Sequence, residues 1–333
     1  MKAYLLHRFG IEGLSLEEVA SPEPGRGQVL VKMRAWSLNY RDLLVVRGLY
    51  APKLKFPFQI LSDGVGEVVA VGPDVVRVKV GDRVAGAFMQ TWVEGELDAE
   101  KSASALGGAI PGLAAEYVVL DENGVVPVPG HLSDEEAATL PCAAVTAWHA
   151  LVDAGKLAPG ETVLVQGTGG VSIFALQFAR MLGARVIATS GSDAKLERVR
   201  TLGASDVINY KTTPEWGRRV RELTGRRGVD HVVEVGGAGT LAQSFDAVRI
   251  GGRISLIGVL TGGTVNPIPV LMKNITVQGI YVGSRAMFEA MNEAIAANGM
   301  RPIIDRVFPF SELPKALKHM ESGAHFGKIV LKA

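Results

Sequence analysis

One segment constrains the fold more than any other: an apolar β run that ends in a glycine-dense turn and opens onto a helix. It reads Val163-Leu164-Val165-Gln166-Gly167-Thr168-Gly169-Gly170-Val171-Ser172, and a helical run over 173–182 follows. Unpaired N–H groups at a helix start, together with the positive end of the helix dipole, form an anion site. Gly167 suits the tight turn, and Gly169 and Gly170 let the backbone approach a pyrophosphate.

The context of this turn separates a dinucleotide site from the alternative, an ordinary strand-to-helix connection. Gly183 ends the helix and a second strand follows over 184–189, as a nucleotide-binding unit requires. Ser172 replaces the usual third glycine, but it is small enough to keep the helix close to the strand. The turn therefore predicts dinucleotide binding through Gly167, Thr168, Gly169, Gly170 and Val171.

Length and charge exclude several function classes. The chain has 333 residues, enough for about two domains, and 47% of them are hydrophobic. A formal net charge of +1 argues against nucleic-acid binding, which needs a basic excess. Cys142 is the single cysteine, so an internal disulfide is excluded. No run has the apolar length of a signal peptide or membrane span, which predicts a soluble, cytoplasmic protein without membrane partners.

The pattern of elements predicts two domains. Short β runs separated by glycine and proline fill the first part, and the C-terminal tail has β runs at 303–308 and 328–331. We therefore assign 1–130 and 283–333 to a β-rich domain. Over 131–282, six strand-like runs alternate with helices, which predicts an α/β fold with a doubly wound parallel sheet. Those runs are 162–166, 184–189, 206–208, 229–235, 253–259 and 275–281.

Several spaced motifs together resemble the medium-chain dehydrogenase/reductase superfamily over essentially the whole chain. Besides the glycine turn they are Asn39-Tyr40-Arg41-Asp42, Ser62-Asp63-Gly64-Val65-Gly66-Glu67-Val68, Gly81-Asp82-Arg83-Val84 and His325-Phe326-Gly327-Lys328-Ile329-Val330. The resemblance implies a GroES-like catalytic domain beside a Rossmann domain. Within the superfamily the chain is most similar to the zinc-independent, quinone-oxidoreductase-like members.

The chain departs from true alcohol dehydrogenases at the zinc ligands. Catalytic zinc there needs three protein ligands and an open position. Matching the motifs places Asn39 at the first cysteine, Ser62 at the histidine and Asp63 at the glutamate, and only Cys142 keeps a ligand type. Amide and hydroxyl oxygens are poor zinc ligands, and residues 88–113 lack the four cysteines of a structural zinc lobe. We expect no zinc.

The end of the second Rossmann strand bears on the choice of cofactor. An NAD site places an acid there, but this tip reads Ala188-Thr189-Ser190-Gly191-Ser192, and Asp193 fits better as a first-turn helix acid. Lys195 and Tyr210 match positions that surround the 2′-phosphate in NADPH-using quinone reductases. With Ser190 and Gly191 they favour NADPH. NADH stays the alternative, because Lys195 on a helix face is by default a solvated lysine.

The resemblance also implies where the reaction takes place. Its candidate catalytic residues are Asn39, Tyr40, Asp63, Cys142 and Thr146. Each also has a structural role open to it: Asn39 caps a helix over 40–46, Tyr40 packs, and Asp63 lies in a turn. Cys142 fits as a small buried apolar residue, and Thr146 as one that bonds within its helix.

Further cofactor contacts follow from the family's architecture. Gly258, Val259 and Val282 follow the last two sheet strands, where ligands of such folds lie, and otherwise they form ordinary turns. Lys328 is expected to pack over the cofactor, or to be solvated if it does not.

The chain is thus expected to be an NAD(P)H-dependent reductase of a small molecule: a quinone, an enone or an aldehyde. Without zinc, hydride transfer depends on positioning and hydrogen-bond donors, which favours electron-poor acceptors. The alternatives are an alcohol dehydrogenase, and an NADPH-binding module with little turnover. The last sheet strand, from Asn274 to Tyr281, is an apolar edge, so we expect a homodimer.

Overall fold

The computed structural model describes residues 1–333, which form two compact units. The first unit comprises Met1–Val145 and Gly283–Ala333, and the second comprises Thr146–Val282. The sequence places the first boundary at residues 130 and 131, whereas the structure puts 131–145 in the first unit. The reason is packing, because the short helix Asp134–Ala137 contacts three strands of the first unit's sheet.

The strands and helices are numbered in chain order. The strands are β1 Lys2–Leu6, β2 Leu14–Glu18, β3 Gln28–Ser37, β4 Phe58–Gln59, β5 Asp63–Val71, β6 Arg83–Gly86, β7 Tyr117–Asp121, β8 Val125–Pro127, β9 Thr162–Gln166, β10 Arg185–Ser190, β11 Asp206–Asn209, β12 Val229–Glu234, β13 Val248–Leu256, β14 Thr276–Gly279, β15 Ile304–Pro309 and β16 Lys328–Lys332. The helices are α1 Tyr40–Val46, α2 Ala99–Ser102, α3 Asp134–Ala137, α4 Val145–Trp148, α5 Gly170–Met181, α6 Asp193–Thr201, α7 Trp216–Leu223, α8 Ala238–Ala247, α9 Ile268–Met272, α10 Arg285–Asn298 and α11 Leu313–Glu321. None of them has the length and apolarity that a membrane-spanning helix needs.

The first unit is β-rich. A three-stranded sheet has the order β2-β1-β4, and a seven-stranded sheet has the order β15-β16-β3-β5-β6-β8 with β7 paired to β3. The C-terminal strand β16 runs antiparallel to β3, so residues near position 330 lie beside residues near position 36. This pairing brings the end of the chain to the beginning of α1, where the candidate catalytic residues lie.

The second unit is a six-stranded sheet in the order β11-β10-β9-β12-β13-β14, with every neighbouring pair parallel. All five residues of β9 are buried, as expected of a central strand covered on both faces. The chain passes outward from β9 to β11, returns beside β9 as β12, and passes outward again to β14. The sheet order therefore reverses between β9 and β12, where open α/β sheets bind ligands. The predicted fold class is confirmed.

The last two strands are shorter at their C-terminal ends than the sequence predicts. The pattern predicts strands to residues 259 and 281, but β13 ends at Leu256 and β14 at Gly279. The pairing explains the difference, because Glu234, Leu256 and Gly279 lie in register at the end of the ladder. Beyond the end of β12, β13 has no strand to pair with on that side, and β14 in turn has no β13 residue to pair with. Residues 257–260 therefore leave the sheet.

Candidate active site

The glycine turn of the second unit has the geometry of an anion site. Gly167 has a φ of +69° and its N–H donates to Thr189 O at 2.8 Å, which bends the chain at the end of β9. Gly169 caps α5, and a Cβ atom built on Gly167 or on Gly169 would meet no atom within 4 Å. The space above the helix N-terminus is open, so the turn fits the pyrophosphate of a dinucleotide.

A hydrogen bond from Ser172 stabilises this turn. Its Oγ donates to Gln166 O at 2.6 Å and the residue is buried, so the hydroxyl joins the first turn of α5 to the end of β9. Ser172, which stands where the fingerprint usually has a third glycine, therefore keeps α5 packed closely against β9. Residues Gly167 to Val171 lie together in this one turn.

The tip of β10 brings together the residues expected at the adenosine end of a cofactor. Ser190 ends the strand, and a Cβ atom on Gly191 would lie 2.7 Å from Tyr210 Oη and 2.9 Å from Lys211 Cε. Asp193 accepts from Asn209 Nδ2 at 2.7 Å, which gives this acid a structural partner.

Two lysines lie near this tip, one named from the sequence and one missed. Lys195 lies in the first turn of α6, with its backbone N–H bonded to the capping Ser192 Oγ at 3.4 Å. Lys211 was missed. Its only sequence signal is that it follows Tyr210, and its position depends on the pairing of β11 with β10.

The loops after β13 and β14 differ in their surroundings. Val259 is 73% exposed, and a Cβ atom on Gly258 would collide with Val235 O. Val282 is buried with a φ of +58°, a conformation that is strained for a β-branched residue. His149 Nδ1 donates to Val282 O at 2.7 Å. A hydrogen bond therefore holds the strained residue in place.

Glu234 is a second residue that sequence reasoning missed. This fully buried carboxylate ends β12 and accepts from the N–H groups of Gly236 (2.8 Å) and Gly237 (3.1 Å). It also accepts from Thr240 Oγ1 and from Gln166 Nε2, the latter at 2.7 Å. Glu234 thus connects the loop after β12 to the strand end that carries the glycine turn.

The first unit brings four predicted positions into one cluster. Asn39 precedes α1, and its backbone N–H donates to Asp42 Oδ2 at 2.7 Å, so the predicted capping position is occupied. Its Nδ2 lies 3.5 Å from Ser62 Oγ, which donates to Asp63 Oδ1 at 2.9 Å. The backbone N–H of Cys142 donates to Asp63 Oδ2 at 3.2 Å. The positions matched to zinc ligands therefore do lie side by side.

Lys328 reaches the same cluster from β16. Its Nζ donates to Asn39 Oδ1 at 2.6 Å and to Leu38 O at 2.7 Å, and it lies 3.8 Å from Asp63 Oδ2. The residue is 2% exposed. The sequence expected this lysine to contact the cofactor or else to be solvated. A contact with the cofactor stays a prediction, whereas a solvated side chain is wrong because the amine is buried.

Burial controls the electrostatics of the cluster. It raises the pKa of Asp63, although Lys328 and hydrogen bonds to the carboxylate oppose the shift. It raises the pKa of Asp42 to about 6 against the opposing charge of Arg41. Burial and the Asp63 charge raise the pKa of the Cys142 thiol, so this thiol is not activated as a nucleophile.

The two remaining candidate catalytic residues are Tyr40 and Thr146. Tyr40 begins α1 and is 42% exposed, so its phenol is accessible to a substrate. Thr146 is buried and belongs to the second unit, whereas Asn39, Asp63 and Cys142 belong to the first.

The cluster does not fit a zinc ion. An amide oxygen and a hydroxyl replace two of the usual ligands, and Asn39 Oδ1 already accepts from an ammonium group. A divalent cation bound there would also be repelled by that ammonium. Across residues 1–333, no group of three His, Cys, Asp or Glu side chains is arranged to hold a metal.

Comparisons with known proteins agree with this architecture. The model of the alcohol dehydrogenase GroES-like domain matches residues 25–130, and that of the zinc-binding dehydrogenase matches residues 170–297. A zinc-type alcohol dehydrogenase-like protein of Schizosaccharomyces pombe is 45% identical over 332 residues, covering 97% of this chain and 96% of the relative. The chain belongs to the medium-chain dehydrogenase/reductase family.

Solved structures of the family extend over the whole chain. An NAD-dependent alcohol dehydrogenase has a TM-score of 0.92 at 35% identity, covering 100% of both chains. The quinone oxidoreductase of Coxiella burnetii has a TM-score of 0.83 at 30% identity, covering 100% of this chain and 99% of its own. As a member of this family, the chain is an NAD(P)-dependent oxidoreductase. The donor set of this member differs from that of a zinc-binding dehydrogenase, because Asn39 and Ser62 replace two ligands and Lys328 bonds Asn39.

Proposed function

We propose that this family member is a zinc-free, NADPH-dependent reductase of quinones, enones or aldehydes. The observation that carries the proposal is the buried Lys328 amine among the positions matched to zinc ligands. Without a Lewis acid, the reaction depends on hydrogen-bond donors and on acceptors that are already electron-poor. The similarity to a quinone oxidoreductase supports this substrate class.

The residues of the two units have separate tasks in this proposal. The N-terminus of α5 binds the pyrophosphate, and Glu234 holds the loop after β12 in place. A reduced nicotinamide, when bound, supplies the hydride. The Asn39 amide donates to the substrate oxygen that gains charge, and the accessible phenol of Tyr40 delivers the proton.

The preference for NADPH rests on the tip of β10. Lys211 and Tyr210 lie beside Gly191, and Lys195 is in the first turn of α6. Two ammonium groups and a phenol suit a phosphate dianion better than a bare ribose. We expect Lys211→Ala and Lys195→Ala each to weaken NADPH binding roughly tenfold while leaving NADH binding unchanged.

Fluorescence titration of both cofactors checks this expectation, with the exposed Lys318→Ala as the matched control. Equal losses for NADPH and NADH would contradict the phosphate role. Oxidation of NADPH is then followed with benzoquinone, cyclohexenone and an aldehyde, on protein assayed for bound metal. Turnover of alcohols alone, with stoichiometric zinc, would replace the proposal by an alcohol dehydrogenase. Tight binding without turnover would replace it by a binding module.

We also propose that the protein is a homodimer that pairs through β14. All four residues of this edge strand are exposed, and α9 beside it exposes Ile268 (60%), Leu271 (80%) and Met272 (73%). An unpaired strand edge with apolar neighbours favours pairing with a second copy. Leu271→Asp is expected to yield a monomer in sedimentation velocity, whereas Val76→Asp, also at an exposed apolar position, leaves a dimer. A monomeric wild-type protein at micromolar concentration would refute the pairing.

A further inference from the structure

The Lys328 side chain is an unusual feature of the first unit. Lysine is almost never fully buried without a partner, because taking its charge out of water is costly. Here Leu38 O and Asn39 Oδ1 accept two of the three ammonium hydrogens, at 2.7 and 2.6 Å. The nearest carboxylate oxygen, Asp63 Oδ2, is 3.8 Å away. The fold thus places a cation among these oxygen atoms.

The charges around this cation are balanced by residues of the same unit. Asp63 and Asp42 are both fully buried, and Arg41, also buried, lies 3.8 Å from Asp42 Oδ1. Each buried carboxylate therefore has a cation close to it, Lys328 for Asp63 and Arg41 for Asp42. Removing the Lys328 amine would leave Asp63 without its cation, which is costly in a low-dielectric interior.

The ammonium also determines the orientation of Asn39. An amide side chain has one accepting and one donating end. Because the ammonium can only donate, the Asn39 oxygen must face Lys328, and the amide nitrogen faces the Ser62 side of the cluster. A charge-assisted bond at 2.6 Å also polarises the amide, which makes its N–H groups better donors.

We propose that Lys328 is a positioning residue whose buried ammonium stands in place of a metal cation, offsetting Asp63 and fixing the Asn39 amide, oxygen toward Lys328 and nitrogen toward Ser62, in the orientation it has beside the substrate. This role rests on the proposed reductase function only where it refers to the substrate. In this role the Lys328 amine stays bonded to Leu38 O and Asn39 Oδ1. A direct contact between the amine and the cofactor would require it to break those two hydrogen bonds.

Two variants separate these roles. Lys328→Met keeps the length of the side chain without its charge, and it is expected to lower kcat with cyclohexenone roughly 10- to 100-fold. The dissociation constant of NADPH should change less than twofold. Lys332→Ala, which removes an exposed lysine of the same strand, is the matched control and should keep wild-type values. A tenfold weaker NADPH affinity with an unchanged kcat would overturn the proposal.

A cavity variant tests the cation site without relying on turnover. Lys328→Ala leaves room for a small amine, so ethylammonium should raise its melting temperature saturably, and ethanol at equal concentration should not. Lys328→Met, whose side chain fills the space, should not respond. If ethylammonium stabilises Lys328→Ala no more than it stabilises the wild type, the proposed cation site is wrong. This readout decides the cation site even if the wild-type protein reduces no enone.

Asn39→Asp tests the orientation of the amide and is a variant we expect to fold, because a carboxylate pairs well with the Lys328 ammonium. It removes the N–H donors and is expected to lower kcat roughly 100-fold. Because the added carboxylate also lies near Asp63, folding is checked separately, and the far-UV circular dichroism spectrum should match that of the wild type. Retained activity in Asn39→Asp would overturn the donor role of Asn39 and with it the positioning role of Lys328.

Discussion

Gly169→Val is expected to abolish cofactor binding while leaving the fold intact. Gly169 has a φ of −77°, which valine adopts, and a Cβ atom there would meet no protein atom within 4 Å. The added side chain instead projects into the space that a pyrophosphate needs above α5. We expect the NADPH dissociation constant to rise roughly 100-fold, or about 3 kcal/mol of binding free energy.

The control for this variant is Gly130→Val. Gly130 is also a position where a Cβ atom would meet nothing within 4 Å, but it lies in the first unit, away from the glycine turn. Both variants should melt close to the wild-type temperature, and only Gly169→Val should fail in a fluorescence titration with NADPH. Normal NADPH binding by a folded Gly169→Val protein would mean that the turn is not the pyrophosphate site.

Asp42→Asn is expected to change how stability depends on pH. Burial raises the pKa of Asp42 from 3.8 to about 6, so the native state holds a proton that the unfolded chain has released. Stability from this group is therefore full below pH 4 and is lost as the pH rises through 6. The loss is at most about 3 kcal/mol, and it does not occur in the variant because an asparagine side chain does not titrate.

Urea unfolding of Asp42→Asn, Asp305→Asn and wild type at intervals from about pH 2.5 to pH 7 checks this prediction. The free energies of unfolding should differ most in favour of the variant at pH 7. Asp305→Asn serves as a control of opposite sign. Burial raises the pKa of the Asp305 carboxyl, but hydrogen bonds from His319 and the Phe326 N–H outweigh burial, so the net effect is a lowered pKa. Its stabilisation is lost as the pH falls, so parallel profiles for the two variants would contradict our assignment.

The parts of the fold that were correctly predicted from the sequence are those whose signals are local. The strand at Thr162–Gln166 and the helix at Tyr40–Val46 have the predicted bounds. A buried apolar run, a glycine turn and a capping asparagine each act within a few residues, so their consequences can be read without knowing the rest of the fold. The ends of β13 and β14 were predicted too late, because a strand stops where its partner stops.

The candidate site was predicted less completely, for a related reason. Lys211 and Glu234 gave no signal of their own, since their positions depend on the pairing of β11 with β10 and of β12 with β9. Thr146 was grouped with Asn39 by family resemblance, and because the two lie in different units this grouping stays a prediction.

By itself the sequence determined the nucleotide-binding topology and the loss of zinc ligands, because strand–turn–helix signals and ligand chemistry are properties of neighbouring residues. Only the tertiary structure decided which groups lie around the positions matched to zinc ligands. Lys328 and Asn39 are 289 positions apart, and Asp63 and Cys142 come from two further segments. Whether a lysine is solvated or buried depends on the oxygen atoms that the fold brings to it, and those come from segments that meet only when the sheet of the first unit forms.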